Sequence, residues 1–115
     1  SPHYSTSKAA VVSWTQSHAL RMAAYNVNVN AVCPGLIWTP IWESIARKRA
    51  KYGGSLKTDG LEGKKLFDQT VKAWIPLQRE QTPEDIGNMV AFLASDLAEN
   101  ITGQSINVDG GRFTN

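Results

Sequence analysis

The sequence predicts an α/β fold with a parallel sheet, on three observations. The alanine-rich run "YSTSKAAVVSWTQSHALRMAAY" has the composition of a long helix and passes almost without a loop into "VNVNAVCPG", a short β-branched strand ending in a turn. A second unit of the same kind, "TPEDIGNMVAFLAS" and then "GQSINVDGG", repeats the order of helix and strand. The sequence between the two strands is long and largely helical, and a crossover of that kind joins parallel strands, not a hairpin.

Each element has a local reason. Over residues 4–25, Ala9, Ala10, Ala19, Ala23 and Ala24 favour helix, and Val12 and Leu20 supply an apolar face. Val11, Trp14 and Met22 widen that face, so the helix is expected to be covered on two sides, by a sheet and by a partner subunit. Asn26 stands where a helix can stop on a left-handed residue. In residues 27–35, Val27, Val29, Ala31 and Cys33 alternate with Asn28, Asn30 and Val32 before Pro34-Gly35 turns the strand.

The middle of the chain predicts one helix from Pro40 to Tyr52, stopped by Gly53-Gly54, and a second from Leu61 to Trp74, ended by Pro76. Thr82 is a good cap, Pro83 suits the first helical position, and Glu84 and Asp85 complement the helix dipole. Ile86, Met89, Val90 and Leu93 recur at helical spacing and predict a core face. Ser105 to Val108 predict the last strand, and Asp109-Gly110-Gly111 a tight turn after it. Two parallel strands are fewer than such sheets normally carry, so the sequence is expected to be the C-terminal part of a larger α/β fold.

Composition narrows the class. Apolar residues make up 42% and charged residues 19%, which is ordinary for a globular domain and unlike a disordered chain. A net charge of +2 gives no case for nucleic acid, and the run Arg47, Lys48, Arg49, Lys51 reads as a solvated helix face. No apolar run approaches the ~20 residues that span a bilayer, so no membrane partner is expected. The single Cys33 forms no internal disulfide framework and suits a reducing, cytoplasmic compartment.

The motifs together carry more than any one of them. "YSTSK", then "NAVCPGLIWT", then the Thr-Pro-Glu-Asp helix start, then "GQSINVDGG" resemble the C-terminal half of a classical-type short-chain dehydrogenase/reductase, in the expected order over most of the chain. The resemblance implies a doubly wound, Rossmann-like parallel sheet with flanking helices and a helical substrate lid over about residues 36–75. Family members also carry a TGxxxGxG phosphate turn, an NNAG segment and a catalytic serine about a dozen residues before the tyrosine. None of these is in this sequence, so it is expected to lack the dinucleotide-binding half of one domain.

A free phenol ionises near ~10 and is a poor base at neutral pH. Spacing i, i+4 puts Lys8 on the helix face of Tyr4, and a positive charge beside a phenol favours its ionised form. The resemblance makes Tyr4 the general acid–base of a hydride transfer and makes Lys8 its partner and the holder of the nicotinamide ribose. It places Pro34 and Gly35 in the loop that reaches the nicotinamide of NAD or NADP, and gives the Ile37 backbone and the Thr39 hydroxyl to the carboxamide. Trp38, Trp42 and Trp74 fall in the lid segment, where each is either a wall over the substrate or a packing residue.

The expected activity is an NAD(P)-dependent oxidoreduction of a secondary alcohol or ketone by a homo-oligomer, a tetramer in the resembled family. No metal is expected. The alternative is a non-catalytic fragment or oligomerisation piece. The mass of the protein in solution separates the two.

Overall fold

The computed structural model describes residues 2–52 and 62–114, which divide into two compact bodies. One body comprises the described residues of Ser1–Cys33 together with Glu84–Val108, the other those of Pro34–Pro83 together with Asp109–Asn115.

In the first body, α1 spans Pro2–Met22 and tightens into a 3₁₀ turn over Ala23–Tyr25. Asn26 ends it in the left-handed region at φ 57°, its N–H donating to the Ala23 carbonyl at 3.0 Å, as the sequence predicts. Within this chain α1 buries only a narrow strip. Only Thr15 and Ala19 are buried, and Leu20 is 83% exposed. Ala19 is buried because Gly103 comes close: a Cβ at Gly103 would lie 3.4 Å from that of Ala19.

Strand β1, Ala31–Pro34, pairs with β2, Ser105–Val108, in a two-stranded parallel sheet. The first strand is shorter than predicted: ahead of it the Val29 N–H donates to the Thr102 hydroxyl at 3.0 Å instead of a backbone carbonyl, and Asn28 and Asn30 reach the facing segment with their side chains. Asn28 Nδ2 donates to the carbonyls of Ala98 at 3.2 Å and Glu99 at 2.9 Å. Asn30 Nδ2 donates to Ile101 O at 2.7 Å, while its Oδ1 accepts the Gln104 N–H at 3.0 Å. The ladder is completed on either side by Gly103 N–H to Val29 O and Ala31 N–H to Gln104 O, both 2.8 Å. Helix α4, here Pro83–Leu93, begins at the predicted proline. Its predicted core face is only half-buried at Ile86, Met89 and Leu93, and Val90 is exposed.

The second body holds α2, Ile41–Tyr52, and α3, Gly63–Trp74, packed on each other. Leu61, the predicted start of the second helix, and Gly53, Gly54 and Gly60 lie outside the described residues. The core is Leu36, Trp42, Phe67, Val71 and Ile75, with Trp38 and Ile45 against it. Both indoles meet the Phe67 ring edge-on, Trp42 at 4.9 Å and Trp38 at 5.5 Å between centroids. The Glu43 carboxylate accepts the Gly63 N–H at 3.1 Å, which satisfies one of the open donors at the start of α3.

Candidate functional site

Tyr4 and Lys8 stand one turn apart on α1. The Lys8 ammonium lies 5.6 Å from the centroid of the Tyr4 ring, and the tyrosine is 60% exposed. Ser7 is turned back on the helix, its hydroxyl donating to the Tyr4 carbonyl at 2.8 Å. No carboxylate pairs with Lys8 among the described residues. The phenol and the ammonium are therefore both open to a ligand. Downstream on the same helix His18 stacks on Trp14 at 4.2 Å between centroids.

The segment from Pro34 to Thr39 belongs to the second body, and three other stretches of that body shape it. Ile37 makes a parallel bridge with Gln81, and the Gln81 N–H donates to the Leu36 carbonyl at 3.0 Å. The Gln81 side chain, 5% exposed, accepts the Leu36 N–H on Oε1 at 2.9 Å and donates from Nε2 to Arg79 O at 3.1 Å. Gly35 has to be glycine: a Cβ there would stand 2.6 Å from the Asp109 Cα and would also meet Gln81 Oε1.

Asp109, buried, braces the following turn by accepting the N–H groups of Gly111 and Phe113, each at 2.9 Å. Gly110 and Gly111 take φ of 67° and 89°, so the predicted Asp-Gly-Gly turn is present. Gly110 accepts the Leu77 N–H at 3.1 Å and packs on Ile75.

Thr39 is exposed, and its carbonyl accepts the Trp42 N–H at 3.1 Å, which opens α2. The three tryptophans differ. Trp42 is 8% exposed, and its indole N–H donates to the Ile37 carbonyl at 3.1 Å, so it holds the segment from inside. Trp38 is half-buried, with the Lys64 ammonium 5.3 Å from its ring. Trp74 is 40% exposed and carries the Arg112 guanidinium 5.1 Å from its ring.

Lys64 also reaches Asp68 at 2.9 Å and Glu80 at 3.5 Å. Its hydrogen bond to Asp68, with a further contribution from the charge of Glu80, raises its pKa above the ordinary lysine value. Sequence reasoning missed Gln81 because nothing local sets it apart; its partner lies 45 residues away.

Taken separately, each body carries residue types that suit a nicotinamide dinucleotide. The exposed Lys8 and Tyr4 offer donors to a ribose, and the exposed Thr39 hydroxyl lies beside a backbone segment that is held in place. Among the described residues no group of His, Cys, Asp and Glu could hold a metal, and no helix is long and apolar enough to cross a membrane.

The family described as enoyl-(acyl carrier protein) reductase matches residues 1–112. A diacetyl reductase [(S)-acetoin forming] of Staphylococcus epidermidis is 41% identical over 109 residues, covering 94% of this chain and 40% of that protein. A short-chain dehydrogenase family protein from Francisella tularensis superposes with a TM-score of 0.79 at 35% identity, over 95% of this chain and 42% of the other. An L-sorbose reductase from Gluconobacter frateurii, solved with NADPH and L-sorbose, superposes with a TM-score of 0.83 at 30% identity, over all of this chain and 41% of that one. The chain thus spans about two-fifths of the length of these relatives. With the family match running through both strands and the tyrosine–lysine helix, the chain belongs to the short-chain dehydrogenase/reductase family.

Proposed function

We propose that the protein containing this chain is an NAD(P)-dependent oxidoreductase that interconverts a secondary alcohol and its ketone. The observation that carries the reading is the Tyr4–Lys8 pair, exposed on one helix face with the ammonium 5.6 Å from the ring. A bound nicotinamide supplies or accepts the hydride. Tyr4 gives its phenolic proton to the carbonyl oxygen in reduction and takes the hydroxyl proton in oxidation. Lys8 holds a ribose hydroxyl and brings positive charge to the phenol.

The Pro34–Gly35 turn, the Ile37 backbone and the Thr39 hydroxyl orient the carboxamide. Trp38 and Trp74 line the substrate side, and Trp42 supports them from the core. The relatives named for reducing diacetyl and L-sorbose support a small carbonyl substrate, and the one solved with NADPH supports the cofactor class. The exposed apolar residues of α1, Val11, Trp14 and Leu20, support a homotetramer.

The test is Tyr4→Phe in the full-length protein, with turnover of diacetyl and L-sorbose followed by NADPH and NADH oxidation. Turnover is expected to fall by about 10²–10⁴-fold while dinucleotide affinity is kept. A variant that keeps more than about a tenth of its rate refutes Tyr4 as the acid–base.

A further inference from the structure

We infer that Gln81 is a positioning residue for the cofactor, setting the backbone at Leu36 and Ile37 against which the nicotinamide carboxamide is read. The inference rests on the proposed nicotinamide cofactor and goes beyond it by assigning a residue outside the tyrosine, lysine and Pro-Gly motifs.

Gln81 engages both polar backbone groups of Leu36. Its own N–H donates to the Leu36 carbonyl at 3.0 Å, and its side-chain Oε1 accepts the Leu36 N–H at 2.9 Å. The rest of the amide is also fixed. Nε2 donates to the Arg79 carbonyl at 3.1 Å, and a Cβ on Gly110 would come within 2.9 Å of it. With the residue 5% exposed, water cannot replace these bonds. A buried amide with each end spoken for has one low-energy orientation, and the backbone it grips inherits that orientation. Gly35 lies against the same Oε1, so the turn cannot slide without displacing the amide.

The gripped residues are those next to the groups assigned to the carboxamide. Ile37 bridges to Gln81, and its carbonyl already accepts the Trp42 indole at 3.1 Å. Among the described residues two side chains, Gln81 and Trp42, thus hold the 36–37 backbone, Gln81 through the Leu36 N–H and Trp42 through the Ile37 carbonyl. Removing the Oε1 acceptor leaves that N–H buried without a partner, and the segment must move to satisfy it.

The experiment compares two probes on the full-length protein. NADH and NADPH carry the nicotinamide, whereas ADP-ribose and its 2′-phosphate lack it. Gln81→Met, close in length but without the acceptor, is expected to weaken NADH or NADPH binding about tenfold and to leave the ADP-ribose probes unchanged. Gln81→Glu, measured at a pH low enough that its carboxyl is protonated and can donate to the Arg79 carbonyl as Nε2 does, keeps an oxygen for the Leu36 N–H and should recover most of the loss. Hydrogen exchange at the Leu36 amide should be fast in Gln81→Met and slow in Gln81→Glu.

If Gln81→Met does not fold, Gln81→Asn, whose acceptor is drawn back by one methylene, carries the same comparison. Equal weakening of both probe classes, or none, overturns the positioning role while the cofactor reading stands. A wild-type protein that binds neither NADH nor NADPH overturns the cofactor reading and this inference with it.

Discussion

Glu43 closes the start of α3 by accepting the Gly63 N–H at 3.1 Å, and the two residues are packed so closely that a Cβ on Gly63 would stand 2.7 Å from the Glu43 backbone nitrogen. Gly63 takes no positive φ, so backbone freedom is not its role. Here it is buried and serves close approach, because backbone and carboxylate of α2 occupy the space a side chain would need. Gly63→Ala is expected to cost about 1–3 kcal/mol through overpacking. Glu43→Ala is expected to cost about 1 kcal/mol through the lost cap and dipole contact. Urea unfolding of the full-length protein measures both.

Trp42 and Trp74 should separate in their effects. Trp42→Ala removes a buried ring that touches Phe67 edge-on and is expected to cost about 3–5 kcal/mol of stability. Trp74→Ala, at a 40% exposed position, should cost about 1 kcal/mol or less and should change the ratio of kcat/KM between small and bulky ketones. A Trp42 variant of native stability would show that the ring is not a core residue.

Lys8→Met is expected to act on both terms of catalysis. The ammonium 5.6 Å from the Tyr4 ring also faces solvent, free to meet a ribose. Steady-state kinetics should show a higher KM for the dinucleotide together with a kcat lowered by roughly 10². A change in KM alone would limit Lys8 to binding.

Lys64 gives a pH dependence with a definite sign. Its hydrogen bond to Asp68 raises the folded-state pKa above the ordinary value of 10.5. A raised lysine contributes its stability fully below the unfolded value and loses it as pH rises through the folded one. Lys64→Met should therefore be less stable than the parent by a constant amount from pH 7 to about 10, with the gap narrowing above that. The side chain is 47% exposed, so the gap should stay under about 1 kcal/mol and shrink in high salt. Unfolding midpoints across pH check both statements.

Local chemistry made much of the fold legible. Asn26, Pro83 and Asp109-Gly110-Gly111 each mark a boundary through their own backbone preferences, and the structure has a boundary at each. Asn28 and Asn30 were legible only as the polar half of an alternating strand. Their partners, Ala98 to Gln104, lie 70 to 74 residues away, and alternation says which way a side chain points but not what it meets. The apolar faces of α1 and α4 show the same limit from the other side. Periodicity identifies a face that favours burial, but what covers it depends on the rest of the fold.

The second body is assembled from two pieces of chain, residues 34–83 and a return that begins at Asp109. Gly110 then accepts the Leu77 N–H and packs on Ile75, and the Asp109 backbone comes up beneath Gly35. This has a consequence in time. During synthesis the Pro-Gly turn and its glutamine brace are made first, and the surface they close against arrives only after residue 109 has been added. Contacts so far apart in sequence form late, because the intervening chain must first give up its freedom. A nascent protein halted before Gly110 would carry the tyrosine, the lysine and the whole turn but not the surface that fixes the turn's shape. Competence to hold a cofactor in one orientation would then appear only once residues 109–111 have been made.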